Sequence, residues 1–443
     1  MEHLQLRNYN SDIEIPLPHN TNLLYNKTVL CEMFSGEIML INRVGPPVRG
    51  DDFFGRDAFM ELVWQKIEAG HVLLAAPRRF GKTSVMYRLM DQPRGDYKII
   101  HADLEHFIEP VELISELILK MAKDDQLSKI SNSLSYFPKK LWGRFRSNFE
   151  EVALLQLKIK LREQLSSQWR EKGDEFFHKV AASEQPILFI LDEFPMMIDR
   201  MAQSETHREE AKTLLRWLRA LRVSPEMKNI RFLIAGSIGI GYVLNELGDI
   251  ATINDFEQLR LEPFSPRIAT EFLQELSKTA NLALSQPSQR KILDLIGTRV
   301  PYFIQILFSE IVKAYTQDGE AITPRKIEEI YHEKVLGVDC KTYFDHYYGR
   351  LRDYYEPQEE RAIKRLLREL AMAGSLTRDA SYSFYRLEMG GPADIEQFNY
   401  LMTNLENDFY IRFHTASNSY EFSCKLLRDW WLRHYAMHIS LEH

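Results

Sequence analysis

A chain of 443 residues holds, at about 150 residues per domain, about three domains, each long enough to bury its own core. Hydrophobic residues make up 45% and charged residues 27%, ordinary globular proportions that exclude a largely disordered, collagenous or coiled-coil chain. With 56 Lys and Arg against 63 Asp and Glu the net charge is -7, so nucleic acid or an acidic membrane would have to be met by a local patch.

Cys31, Cys340 and Cys424 lie far apart, with neither CxxC nor Cys/His spacing. Neither a zinc site nor a disulfide framework is indicated, and a reducing, cytoplasmic setting fits best. The apolar runs are strand-sized, far below the ~20 residues of a membrane span, and the first ten residues lack a signal-peptide apolar region, so no membrane partner is expected. Residues 441–443 read as the start of a vector-encoded tag.

Residues 1–45 have no sustained period and are expected to form an extension. Residues 44–57, VGPPVRGDDFFGRD, read as a loop, and 58–69 as an amphipathic helix with Phe59, Leu62, Val63 and Ile67 on one face. HVLLAA at 71–76 predicts a buried strand and 82–90 a helix, followed by a strand at 97–102 and a helix at 110–123. After a polar stretch, Leu155, Leu157, Ile159 and Leu161 alternate with Gln156, Lys158, Lys160 and Arg162, the period of a half-exposed strand in an insertion near 125–165. A helix at 166–182, the wholly apolar ILFIL at 187–191, IRFLIA at 230–235 and a fifth strand at 258–261 complete an α/β core over 46–265, a parallel sheet covered on both faces. Residues 266–340 read as all helix (267–280, 289–296, 302–315, 324–335). Residues 341–440 read as helices at 359–373, 382–387 and 394–405, strands at 409–413 and 420–422, and a last helix at 425–437, the order of a winged helix.

APRRFGKT, residues 76–83, matches the phosphate-loop pattern GxxxxGK[ST] except for Ala76 in place of the first Gly. Such a loop, between a buried strand and a helix N-terminus, points backbone N–H groups at phosphate oxygens. Gly81 permits close approach, Lys82 reaches the β and γ phosphates, and Thr83 can ligate Mg²⁺. The whole segment Ala76, Pro77, Arg78, Arg79, Phe80, Gly81, Lys82, Thr83 and Ser84 is the expected nucleotide-binding element; Arg78 and Arg79 can touch nucleotide, a neighbouring protomer or only solvent. Asp192, ending ILFILD, is placed to hold Mg²⁺, and Glu193 to orient or deprotonate the attacking water. Ser237, after IRFLIAG, either hydrogen-bonds the γ phosphate or the water, or is a turn serine.

KKLWGRFR, residues 139–146, interleaves basic and aromatic residues, the texture of a nucleic-acid surface or of a solvated segment anchored by its aromatics. Residues 341–443 contain 13 Lys and Arg against 15 Asp and Glu, so that region lacks the basic excess of a DNA reader. Trp430, Trp431 and Tyr435 stand at helical spacing, as core residues do.

FFGRDAFMELV (53–63), APRRFGKTS (76–84), ILFILDEFP (187–195), RFLIAGSIG (231–239), LEPFS (261–265) and GTRVPYFIQIL (297–307) together resemble the STAND class of AAA+ P-loop ATPases, especially the archaeal-type group. The resemblance implies an α/β P-loop core, a helical lid and a C-terminal winged helix, with ATP or ADP and Mg²⁺ as cofactors. It places Gly55 and Arg56 near the adenine, Lys82 and Thr83 on phosphate and magnesium, Asp192 and Glu193 in hydrolysis, and Pro301 in the lid. No Arg or Lys lies between Ser237 and Arg260, where ring-forming relatives carry an arginine finger. Slow, switch-like ATP hydrolysis is therefore expected, unless Arg208, Arg216, Arg219 or Arg222 substitutes. A protein partner or self-association on activation is expected ahead of nucleic acid. The alternatives are a DNA-acting AAA+ regulator and a catalytically weak scaffold in a defence or toxin system.

Overall fold

The computed structural model describes residues 40–148, 151–236, 240–319, 321–391 and 394–436. The expected extension therefore enters only from Leu40, and Ser237 and residues 441–443 lie outside the described residues.

Five strands form a parallel sheet in the order β2-β3-β4-β1-β5: β1 His71–Ala75, β2 Lys98–Asp103, β3 Ile187–Asp192, β4 Ile230–Gly236 and β5 Phe256–Arg260. Parallel strands with helical crossovers are covered on both faces, which is why β3 is buried at every position. Its alternate residues serve separate cores. Leu188 and Ile190 face the helices Asp57–Ala69 and Lys82–Asp91, while Ile187, Phe189 and Leu191 face Pro110–Lys123, Trp169–Ala181 and Arg208–Val223.

Residues 151–166 are a helix, Glu151–Ser166, and not the expected strand. Ala153, Leu157, Leu161 and Leu165 are buried at a spacing of four, while Leu155 and Ile159 are 59% and 52% exposed. The alternation of LLQLKIKL arises because this helix carries leucine on two faces, one of them turned to solvent. The preceding polar stretch also forms helices, Ser128–Ser133 and Lys139–Asn148. Within the latter, Trp142 is buried against Phe137 and Phe145, and Arg146 pairs with Asp125 at 3.3 Å, as in an anchored segment.

After β5 come the helices Pro266–Thr279, Gln286–Ile296, Pro301–Asp318 and Pro324–Ile330. Their starts follow from local chemistry: Ser265, Ser285 and Thr323 accept from the third backbone N–H of their helices, and proline occupies a first-turn position. The C-terminal unit has the helices Asp345–Tyr354, Pro357–Ala373, Arg378–Met389, Ile395–Asn407 and Lys425–Trp431. It also has an antiparallel sheet in the order β6-β8-β7, with β6 Ser375–Thr377, β7 Ile411–His414 and β8 Ser419–Phe422. The strand expected from residue 409 starts later because Phe409 is left-handed, φ +68°. Trp430 and Trp431 are fully buried. Both units pack onto the first of the two cores, so Phe303, Tyr331, Leu366 and Trp430 belong to the same apolar body as Leu188 and Ile190.

Candidate nucleotide site

In a parallel sheet every strand ends at one edge, and there the loop after β1 and the turn after β3 meet. Gly81 caps the helix Lys82–Asp91 at φ +95°. A Cβ there would touch nothing within 4 Å, so the backbone angle, and not space, is what asks for glycine. Arg79 is also left-handed, φ +70°, held by its donation to the Gly45 carbonyl at 3.1 Å and by the Tyr302 ring, 4.9 Å from its guanidinium.

Lys82 is buried and donates to Glu193 Oε1 at 3.0 Å; Asp192 Oδ1 lies 3.8 Å from its Nζ. Glu193 has φ +53°, an uncommon angle for a side-chain-bearing residue, and its N–H donates to Asp192 Oδ1 at 3.0 Å. Burial pushes the Asp192 carboxyl up to about 6, against the opposing pull of Lys82 and with a further push from Glu193 and Asp103. Asp103 pairs with Asp192 in the parallel register of β2 and β3.

Lys82 and Glu193 line a cleft of about 330 Å³. Pro77, Arg78, Arg79, Phe80, Gly81, Lys82, Thr83, Ser84, Glu193, Arg56 and Pro301 line it, so most of the expected residues converge. The others stand just behind. Ala76 is buried in the core, Asp192 lies beneath Lys82, and Gly55 packs against the helix Pro266–Thr279, where a Cβ would come within 2.5 Å of Ile268. The Ser84 hydroxyl accepts from the Val48 N–H at 3.0 Å, tying the loop 44–57 over the site. Arg56 donates to the Glu262 carbonyl at 2.6 Å and stacks 4.6 Å from Phe264; burial lowers its pKa to about 10.

Phe53, Phe54, Tyr302 and Gln305 also line the cleft; they lie inside the motif segments, which assign them no role, whereas Phe272 from the helical region and His346 from the C-terminal unit lie outside every motif. His346 Nε2 is buried without a hydrogen-bond partner among the described residues, and burial, with Arg79, Arg78 and Arg350 nearby, pushes its pKa down to about 3. Among the described residues no group of three or more His, Cys, Asp and Glu could hold a metal ion. The oxygen donors present, the Thr83 hydroxyl and the Asp192 carboxylate, fit Mg²⁺ shared with nucleotide phosphates, since Mg²⁺ usually takes one or two carboxylates plus phosphate and water.

Three of the four arginines named as finger substitutes, Arg208, Arg216 and Arg222, have partners elsewhere. Arg216 forks onto Asp249 at 3.0 to 3.2 Å, Arg222 is buried on Asp255 at 2.7 Å, and Arg208 donates to the Ala202 carbonyl.

Solved structures share the fold. A Walker-type ATPase of Pyrococcus abyssi has a TM-score of 0.61 and 17% identity, over 88% of this chain and 99% of that one. The ORC2 protein of Aeropyrum pernix, in its ADPNP-ADP complexes, has a TM-score of 0.50 and 11% identity, over 88% and 95%. At such identities the likeness is one of fold: the AAA+ P-loop α/β sheet followed by a helical C-terminal region. No protein-family model and no curated protein matches the chain. No described helix is long and apolar enough to cross a membrane.

Proposed function

We propose that this chain is a Mg²⁺-dependent, slowly hydrolysing ATPase of the STAND class, a nucleotide-controlled switch that signals through a protein partner or by self-association. The observation that carries the reading is that one cleft is lined at once by the phosphate loop, by Pro301 and Tyr302 of the helical region, which acts as lid, and by His346 of the C-terminal unit. A ligand held there touches three parts of the chain and can bias their arrangement.

Thr83 and Asp192 would hold Mg²⁺, which supplies charge neutralisation at the β and γ phosphates. Lys82, bound to Glu193 in this structure, exchanges a carboxylate oxygen for a phosphate oxygen, and Glu193 is released to orient and deprotonate a water. A trans arginine contributes a rate factor of about 10³–10⁵, and the internal pairing of Arg216 and Arg222 supports turnover without one.

Calorimetry of ATP binding tests the reading. Lys82→Ala is expected to weaken binding by about tenfold or more, since a charge-assisted contact to phosphate is lost, and equal affinity would remove the nucleotide claim. Glu193→Gln should bind ATP and lose turnover; unchanged phosphate release would take Glu193 out of the role.

A DNA-acting AAA+ regulator is the second reading, favoured by the C-terminal order of helix, strand, two helices and hairpin, which we read as a winged helix. The burial of Trp142 and the Arg146–Asp125 pair leave less of KKLWGRFR for DNA. DNA binding that falls steeply with salt and is lost on charge reversal of Arg144 and Arg146 would favour this reading.

A further inference from the structure

Phe409 stands where a helix end asks for glycine. The helix Ile395–Asn407 closes with the Phe409 N–H donating to the Glu406 carbonyl at 3.0 Å and the Tyr410 N–H to the Leu405 carbonyl at 2.9 Å. That paired closure puts the residue after the cap in the left-handed region, usually as glycine. Here it is a phenylalanine at φ +68°, a conformation disfavoured by contact of Cβ with the carbonyl. The turn does not explain the ring; its contact does.

The Phe409 ring lies edge-on to Phe80 of the phosphate loop, centroids 4.8 Å apart at 79°. Both side chains are buried. Phe80 sits between Arg79 and Gly81, the two left-handed residues that bend the loop, so its buried ring is an apolar anchor within the bend. Phe80 lines the nucleotide cleft and also a second cleft, of about 430 Å³; of these two, Phe409 lines only the second. Phe409 is itself held firmly. Asp408 beside it pairs with buried Arg350 at 3.3 Å, and the Tyr410 hydroxyl donates to the Tyr347 carbonyl at 2.7 Å. Arg350 and Tyr347 belong to the helix Asp345–Tyr354, which brings His346 to the nucleotide cleft.

We propose that Phe409 is a positioning residue: acting through Phe80, it holds the phosphate loop in its nucleotide-accepting shape from outside the nucleotide cleft. The proposal rests on the reading that the loop binds nucleotide. A loop ordered in advance spends less binding energy on being fixed, so docking of the C-terminal unit and occupancy of the cleft strengthen each other.

The test is calorimetry of ADP with Mg²⁺ on the full chain, for the unmodified protein, Phe409→Gly, Phe80→Ala and the double variant. Glycine suits the left-handed position and keeps the turn. Should it leave the chain unfolded, Phe409→Leu, which keeps the space filled but removes the ring edge, is measured in its place. We expect Phe409→Gly to weaken ADP about fivefold, the factor an edge-on aromatic pair is worth, and to have no further effect on top of Phe80→Ala. Unchanged or tighter ADP binding by Phe409→Gly, or an equal loss with and without Phe80, overturns the proposal. If the unmodified chain binds no ADP, the nucleotide reading fails and this proposal with it. If it binds and Phe409→Gly binds equally, only the positioning role is lost.

Discussion

Asp192 stands in a desolvated place beside Lys82, and its carboxyl is held near 6 where an unfolded chain would have 3.8. Because the folded value lies above the unfolded one, this group's contribution to stability is fully present below about 3.8 and is lost as the pH rises through about 6. Asp192→Asn is therefore expected to stabilise the nucleotide-free protein by about 2–3 kcal/mol at pH 8 and by less than about 1 kcal/mol near pH 4. Thermal unfolding of both chains at the two pH values checks it; a gain independent of pH would mean that packing, not charge, is responsible. That Lys82, Thr83, Asp192 and Glu193 would stand together is legible in the sequence because the signal is local: a buried strand, a bend and a helix start lie within a few residues of each. His346 reaches the same cleft from the distant C-terminal unit, and no residue near it in sequence indicates where packing will carry it.

At the scale of elements, strands covered on both faces are readable as unbroken apolar runs, whereas the helix Glu151–Ser166 is not. A period of two and a helix apolar on two faces coincide over eight residues, and only the tertiary setting tells them apart. The distinction can be measured. Leu157→Ala should cost about 2–4 kcal/mol in urea unfolding, since Leu157 is fully buried, while Leu155→Ala should stay within about 0.5 kcal/mol. Equal losses at the two positions would fit a strand-like burial pattern and contradict the helix. The helix expected at 394–405 runs on to Asn407 and the strand expected from 409 begins at Ile411: glycine usually announces such an end, and here Phe409 holds that place.

Across the whole molecule, the helical region and the C-terminal unit meet at a tight backbone approach. Gly297 has φ +77°, and a Cβ there would lie 2.8 Å from Lys425 Cβ and 3.2 Å from its backbone nitrogen. Thr298 donates to the Ser423 carbonyl beside it, and the Cys424 thiol to the Ile296 carbonyl at 3.2 Å. Gly297→Ala should cost about 1–3 kcal/mol and raise hydrogen exchange in Lys425–Trp431 before it does so in β3. Uniform exchange through the chain would place the defect elsewhere.

Length divides this chain into three along its sequence, but burial divides it in two across the sheet, since alternate residues of β3 feed separate cores. The parts are therefore unequally exchangeable. Among the described residues, the helices between Ser128 and Ser166 give apolar side chains to the far-face core and none to the other, so they can be lengthened, trimmed or swapped at the expense of one core. The C-terminal unit shares its apolar body with β1, the strand that runs into residues 76–84, so a grafted replacement would have to be recut to fit the face that carries the candidate site.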